Sequence, residues 1–347
     1  MNWPLIISNT LFTAVSIQAI AFILAAIGVN LHFGYTGLLN FGQAAFAAVG
    51  AYTFAVLAGQ GIPWPFGSTP PGGFESPWPW WAAAVAVLPM ASVLALLLGI
   101  PTLRLRADYL AIVTIAAAEI LRQALIAPKL DDTWGTGGSD GLQGFTGGIE
   151  RINPWDGKRF SLWEQPFSGH VAFIMVVGWV LIVLSSLVIW ALMRSPWGRV
   201  LRSIREDEDA ARSLGKNVFA YKMQSLILGG IVGALGGLIF AVGGRAAAPN
   251  DYSTAFTFFA WTMLILGGSG RVKGPIIGGV IFWLIIGFTE VVLSQATRNN
   301  LLPDWLVNEN NFGLLRFMFV GLGLTMLVVF RPQGIFGDRR EQAFDVR

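Results

Sequence analysis

Nine apolar runs divide this chain, and their lengths restrict the fold more than any other feature. They are Leu5–Leu31, Leu38–Gly59, Trp80–Ile100, Tyr109–Ala127, Val171–Met193, Met223–Val242, Tyr252–Gly267, Pro275–Ser294 and Phe312–Phe330. About 20 apolar residues cross a bilayer as a helix. The pattern predicts an all-α, polytopic integral membrane helical bundle of about nine or ten spans. The seventh run is short, which fits a tilted or re-entrant segment, or one preceded by a break. Composition agrees. Only 12% of the 347 residues are charged and 54% are hydrophobic, whereas soluble domains carry about 25% charged residues. The expectation is a single transmembrane domain over residues 1–347. The N-terminal MNWPLIISN has no basic stretch of the kind that begins a cleaved signal, so the first run reads as a retained span.

Lys and Arg in short loops fix orientation. They concentrate after the third run (Arg104, Arg106), between the fifth and sixth (Arg194 to Lys222), after the seventh (Arg271, Lys273) and at the C-terminus (Arg331, Arg339, Arg340, Arg347). These four regions alternate correctly if all are cytoplasmic, which places the C-terminus inside and the N-terminus outside. The sequence pI near 9.4 therefore reflects topology, and nucleic acid is excluded as a partner. Two outer segments stand out. Gly59–Pro79 is rich in Trp, Pro and Gly and reads as interfacial. The 128–168 loop holds the turn-forming Thr136–Leu142 and is either solvated or a surface for a partner that delivers substrate.

The 194–222 loop is the only densely charged run. Asp207 is positioned as an N-cap, Glu208 and Asp209 suit the positive end of a short helix, and Gly215 suits its termination. Ala210, Ala211 and Leu214 would form one small apolar face, with Arg205 and Arg212 flanking the acids. The design fits either a helix docked into another protein or a self-packed amphipathic loop.

Small residues recur at four-residue spacing at Gly229, Gly233 and Gly237, and at Ala44, Ala48, Ala51 and Ala55. Such stripes let neighbouring backbones approach closely; faces that slide during transport are the alternative. Gly34–Gln43 interrupts two apolar runs with glycines and amides. It reads as a broken helix lining a substrate site, or as a short cytoplasmic turn. The candidate path residues are Asn30, Tyr35, Thr36, Gly37, Asn40, Gly42, Gln43 and Glu119. Glu119 also sits three residues before Arg122, one helical turn away, and the two carry opposite charges. Glu290 reads as reaching the interface.

Several kinds of chemistry are missing. There is no cysteine, and His32 and His170 have no metal-ligand partner at helical spacing, so each reads as an interfacial histidine. No P-loop occurs, and Gly267–Gly274 lacks the spacing of a phosphate loop and reads as a cytoplasmic turn. No nucleophile constellation is present. An enzyme is not expected.

Asp209-Ala-Ala-x-x-x-Gly215 resembles the Glu-Ala-Ala-x-x-x-Gly loop of ABC importer permeases. Gly34–Tyr52 (GYTGLLNFGQAAFAAVGAY) resembles the N-terminal signature of branched-chain amino-acid permeases. Tyr109–Arg122, Thr136–Leu142, Gly198–Lys222, Gly267–Gly278 and Phe330–Gly337 resemble successive parts of the LivM-type subunit. The resemblance implies a bacterial plasma-membrane permease for hydrophobic amino acids. It implies a second, LivH-like permease, two cytoplasmic ATPases that hold ATP and Mg, and an extracytoplasmic binding protein. This chain would bind no cofactor. The loop residues Arg205, Glu206, Asp207, Asp209, Ala210, Ala211, Leu214 and Gly215 would couple it to the ATPase. Permeases for urea and short amides look similar. An ion-coupled secondary transporter is a further alternative, although it would require more buried ionisable groups.

Overall fold

The computed structural model describes residues 3–59, 78–105, 107–126, 136–162 and 165–298, with residues 318, 321, 322, 325, 334 and 335. The Trp-rich outer segment after Gly59 lies outside these residues, as does almost all of the ninth apolar run.

The helices are α1 (Trp3–Val15), α2 (Ile17–Val29), α3 (Gln43–Gly59), α4 (Trp80–Thr102), α5 (Ala107–Ile126), α6 (Gly147–Ile152) and α7 (Gly169–Arg194). After these come α8 (Pro196–Glu206), α9 (Glu208–Ser213), α10 (Val218–Gly244), α11 (Thr254–Gly267) and α12 (Lys273–Arg298). A π-helical turn, Asn30–Tyr35, extends α2. Short strands β1 (Leu142–Gln143), β2 (Arg159–Leu162), β3 (Gln165–Ser168) and β4 (Ala246–Ala247) form two antiparallel pairs, β1 with β4 and β2 with β3. Among the described residues, six helices are long and apolar enough to cross a membrane.

The first apolar run is not one helix. It breaks at Ser16, whose hydroxyl donates to Thr13 O and accepts from Ala19 N, capping α2. Freed by this break, α1 packs on α12, while α2 enters the centre. The second run also differs from expectation. Its helix begins at Gln43, because Gly37–Gly42 is irregular, turning at Gly37 with φ +75. The seventh run yields a 14-residue helix preceded by a 3-10 turn at Pro249–Tyr252, which matches the last of the three alternatives, a preceding break. The charged loop contains two helices where one was anticipated. Pro196, at the first position of α8, suits a helix start.

The core lies around α2, whose Ala19–Val29 are all buried. α10 packs against α2, α3 and α4. Its glycines make this possible. An added Cβ at Gly237 would overlap the Ala47 carbonyl, and one at Gly50 would overlap the Ala234 backbone. The small-residue stripes are therefore close backbone contacts within one chain. At the periphery, α7 leaves Val176, Val180, Val183 and Leu187 exposed, an apolar face suited to lipid.

The basic connections gather at one end of the bundle. Arg104, between α4 and α5, shares a cavity with Glu208, Arg212 and Lys222, and Arg271, between α11 and α12, shares another with Arg202. The 128–168 loop is folded where described. Gly137 and Gly141 take positive φ around a 3-10 turn, and β1 is held by β4. Ile335, in the C-terminal motif, donates its N–H to Leu266 O at 2.9 Å.

Candidate functional site

A polar block surrounds the π-helical turn. Asn30 is fully buried. Its amide nitrogen donates to Arg271 O at 3.0 Å, and its oxygen accepts from Gly270 N at 2.9 Å. The α2 extension is thereby fixed to the α11–α12 turn. Gly34 has no side chain because a Cβ would strike the Asn30 amide oxygen. π-helical turns are rare and concentrate at functional sites.

His32 is buried, not interfacial, which corrects the sequence expectation. Asn40 Oδ1 accepts from Gly42 N at 2.8 Å, which orients the amide so that Nδ2 donates to His32 Nδ1 at 3.1 Å. His32 Nε2 lies 3.2 Å from Leu226 O, and a carbonyl only accepts, so Nε2 carries the proton. Thr36 and Ser225 pair at 2.8 Å, and each hydroxyl also contacts Leu31 O. Gln43 reaches Ala25 O and Gly229 O through its amide nitrogen, leaving its oxygen buried without a partner. A Cβ at Gly233 would collide with that amide, and one at Gly229 with the His32 ring. The α10 glycines thus make room for the polar side chains of the broken segment as well as for backbone. His170 is likewise buried, against Val242 O.

The irregular stretch and the start of α3 are fastened from two further helices, α5 and α11. Thr114 Oγ1 accepts from Phe41 N at 3.0 Å, Thr257 Oγ1 accepts from Ala44 N at 2.9 Å, and Trp261 Nε1 donates to Asn40 O at 3.1 Å. Gly37 takes φ +75, a conformation side chains disfavour. Asn30, Tyr35, Thr36, Gly37, Asn40, Gly42 and Gln43 therefore form one contiguous block. The sequence reading missed Thr114, Ser225, Thr257 and Trp261; an isolated hydroxyl or indole in an apolar run was the available signal.

The charged helices abut this block. Arg205, on α8, donates from Nη1 to Gly34 O at 2.5 Å. Arg205, which the sequence placed beside the acids of α9, thus also reaches the broken helix. Arg202 places its guanidinium 6.0 Å from the centre of the Tyr35 ring. On α9, Asp207 caps as expected, accepting from Asp209 N and Ala210 N at 2.9 Å each, and Gly215 takes φ +78. The expected apolar face is split. Ala211 is buried against Ile204 and Val218, whereas Ala210 is exposed and Leu214 is 79% exposed. A 3.6-residue period on so short a helix places positions 210 and 214 together and 211 on the inner side. Glu206 and Asp209 are exposed. Glu208 bridges Arg212 and Lys222.

Glu119 stands apart from the block. Its carboxylate accepts from Arg122 Nε at 2.9 Å and Nη2 at 2.5 Å, the pairing read from sequence. Arg122 also donates to Asn250 Oδ1 at 2.8 Å, near the end of the bundle opposite α8 and α9. Among the described residues no group of three His, Cys, Asp or Glu side chains converges to hold a metal ion.

The chain matches, over residues 11–329, the family described as "Branched-chain amino acid transport system / permease component". It is 32% identical to the high-affinity branched-chain amino acid transport system permease protein LivM of Escherichia coli K12, over 98% of this chain and 73% of that protein. It is 24% identical to the probable LivM of Methanocaldococcus jannaschii, over 91% and 90%. It is 30% identical to the nucleoside ABC transporter permease protein NupC of Lactococcus lactis, over 74% of each. No solved structure matches at comparable significance. With six helices among the described residues long and apolar enough to cross a membrane, a broken helix and a match over nearly its whole length, this chain belongs to the branched-chain amino acid transport permease family.

Proposed function

We propose that this chain is a membrane-spanning subunit of an ATP-driven importer whose cargo is a branched-chain amino acid. It works with a second permease, two cytoplasmic ATPases that hold ATP and Mg, and an extracytoplasmic binding protein. The C-terminus and the α8–α9 pair lie on the cytoplasmic side, and the N-terminus lies outside. The observation that carries the reading is the bond between Arg205 on α8 and the Gly34 carbonyl of the broken helix. A push delivered to α9 by an ATPase has a direct route into the membrane at that point. Asp209, Ala210 and Leu214 offer the outward contact, while Ala211 transmits it through Ile204 and Val218.

Asn30, Thr36, Asn40 and Gln43 are each buried to within 2%, which supports a path that is closed beside them. Its opening would exchange some of their hydrogen bonds for water or cargo, and a transporter needs differential contacts in just this sense. Glu119 belongs to the outer approach. The similarity to NupC favours a second cargo, a nucleoside. Co-purification with the neighbouring gene products, reconstitution into vesicles and ATP-dependent uptake of labelled leucine test the reading. Uptake competed by uridine and not by leucine or isoleucine would transfer the cargo assignment, and uptake without ATP would overturn the mechanism.

A further inference from the structure

The end of the bundle that carries α8 and α9 holds a basic cavity. It measures about 580 Å³ and opens between the C-terminal end of α7, α8 and the turn into α12. Arg194 and Arg202 line one side, and Arg271 and Lys273 line the other. No Asp or Glu is among the described residues of its wall. The rest of the described lining is Tyr35 of the π-helical turn, Trp190 and Met193 of α7, Val272 just before α12, and Gly274 and Ile277 in its first turns. The Arg194 guanidinium lies 4.0 Å over the Trp190 ring, so the charge is held at the edge of an aromatic floor.

Arg194, Arg202 and Lys273, facing one another across so small a volume, repel, and an anion offsets that repulsion. The floor narrows the choice. Trp190, Met193 and Ile277 belong to helices that cross the membrane, so a ligand that also covers them carries hydrocarbon beside its charge. A free phosphate would meet the cations and leave the floor bare. Basic pockets between spanning helices at the membrane surface suit acidic headgroups, and guanidinium groups suit phosphate oxygens. We propose that this cavity binds the phosphate headgroup of an anionic phospholipid, with its glycerol and first methylenes lying on Trp190, Met193 and Ile277. The inference rests on the membrane-spanning fold and is independent of the cargo. It has a mechanical corollary. Arg202 lies one turn before Arg205, and Arg271 gives its carbonyl to Asn30, so the bound lipid touches both fastenings of the broken helix.

The test uses the complete, purified transporter, stripped of lipid in a neutral detergent and examined by native mass spectrometry. Phosphatidylglycerol is expected to be retained at least about tenfold better than phosphatidylcholine. The Arg202→Gln/Lys273→Gln variant should retain phosphatidylglycerol about 25-fold less well, at about fivefold for each charge removed. Where that variant does not assemble, Arg194→Gln alone should show about a fivefold loss. Millimolar inorganic phosphate should not displace the lipid. Equal retention of the two lipids, or unchanged retention by the variants, would overturn the proposal. Displacement by inorganic phosphate would overturn it in favour of a free anion. Retention is read without cargo or ATP, so its failure is distinct from failure of the transport reading.

Discussion

Arg205 and Gly34, 171 residues apart, are joined by one charge-assisted hydrogen bond at 2.5 Å. The donor belongs to an amphipathic surface helix. The acceptor is a carbonyl within a π-helical turn, where the regular bonding of the helix is interrupted. Nearby, Gly37 packs on Arg205, with the place of its absent Cβ 3.4 Å from Arg205 Cγ. A bond of this kind contributes about 1.5–3 kcal/mol. Arg205→Ala is expected to lower ATP-dependent uptake about tenfold, with ATP hydrolysis retained and membrane insertion unchanged. Arg205→Lys should recover part of the loss. Uptake by Arg205→Ala equal to the parent would remove the link from the mechanism.

Leu214 is the large apolar side chain at the tip of the charged pair, and docking should bury it. Leu214→Glu is expected to weaken association with the ATPases by about 2 kcal/mol, the scale of burying one leucine, while the thermal transition of the isolated subunit stays within a degree or two. Pull-down of the ATPases reads the first effect and a melting curve the second. Ala211→Arg would be a poor probe, because Ala211 is 2% exposed and the change would disrupt the fold itself.

The chain has no cysteine, so Leu214→Cys creates a single thiol. In intact cells that express the chain without its ATPases, it should react with a membrane-permeant maleimide and resist an impermeant one. Rapid reaction with the impermeant reagent would reverse the topology.

Gly237 and Gly244 lie on the same helix and should respond oppositely to alanine. At Gly237 the new Cβ meets the Ala47 backbone, which cannot move aside cheaply; at Gly244 nothing lies within 4 Å. Overpacking at Gly237 costs about 1–3 kcal/mol, offset by about 1 kcal/mol of helix propensity. Gly237→Ala should therefore lower the melting temperature in detergent and Gly244→Ala should hold or raise it.

Glu119 neutralises Arg122 on a helix read as spanning the membrane. Removing one partner leaves a charge that costs about 2.5–3.5 kcal/mol at the centre of a bilayer and less near its surface. Glu119→Gln should lower thermal stability, and Glu119→Gln/Arg122→Gln should regain most of it. An unchanged melting temperature in both variants would show the pair to be energetically idle.

The apolar runs alone determined that this is a helical membrane protein, because hydrocarbon tolerates only backbone whose polar groups are paired within the chain. The caps at Asp207 and Gly215 and the Glu119–Arg122 pair were also legible, since each depends on residues within eight positions of one another. Local rules could not show what depends on distant partners. Whether Leu5–Leu31 is one helix or two rested on where α12 offers α1 a surface. The inward turn of Ala211 depended on Ile204 and Val218, and the burial of His32 on a carbonyl of α10 and the Asn40 amide of the irregular stretch. The α10 glycines announced close packing, but only the tertiary structure decided that part of their space is filled by Gln43 and His32. The joining of Arg205 to Gly34 and the gathering of Arg194, Arg202, Arg271 and Lys273 came from the same source. Long-range packing selects among local conformations of nearly equal energy, and in this chain it selected those that connect the charged surface to the broken helix.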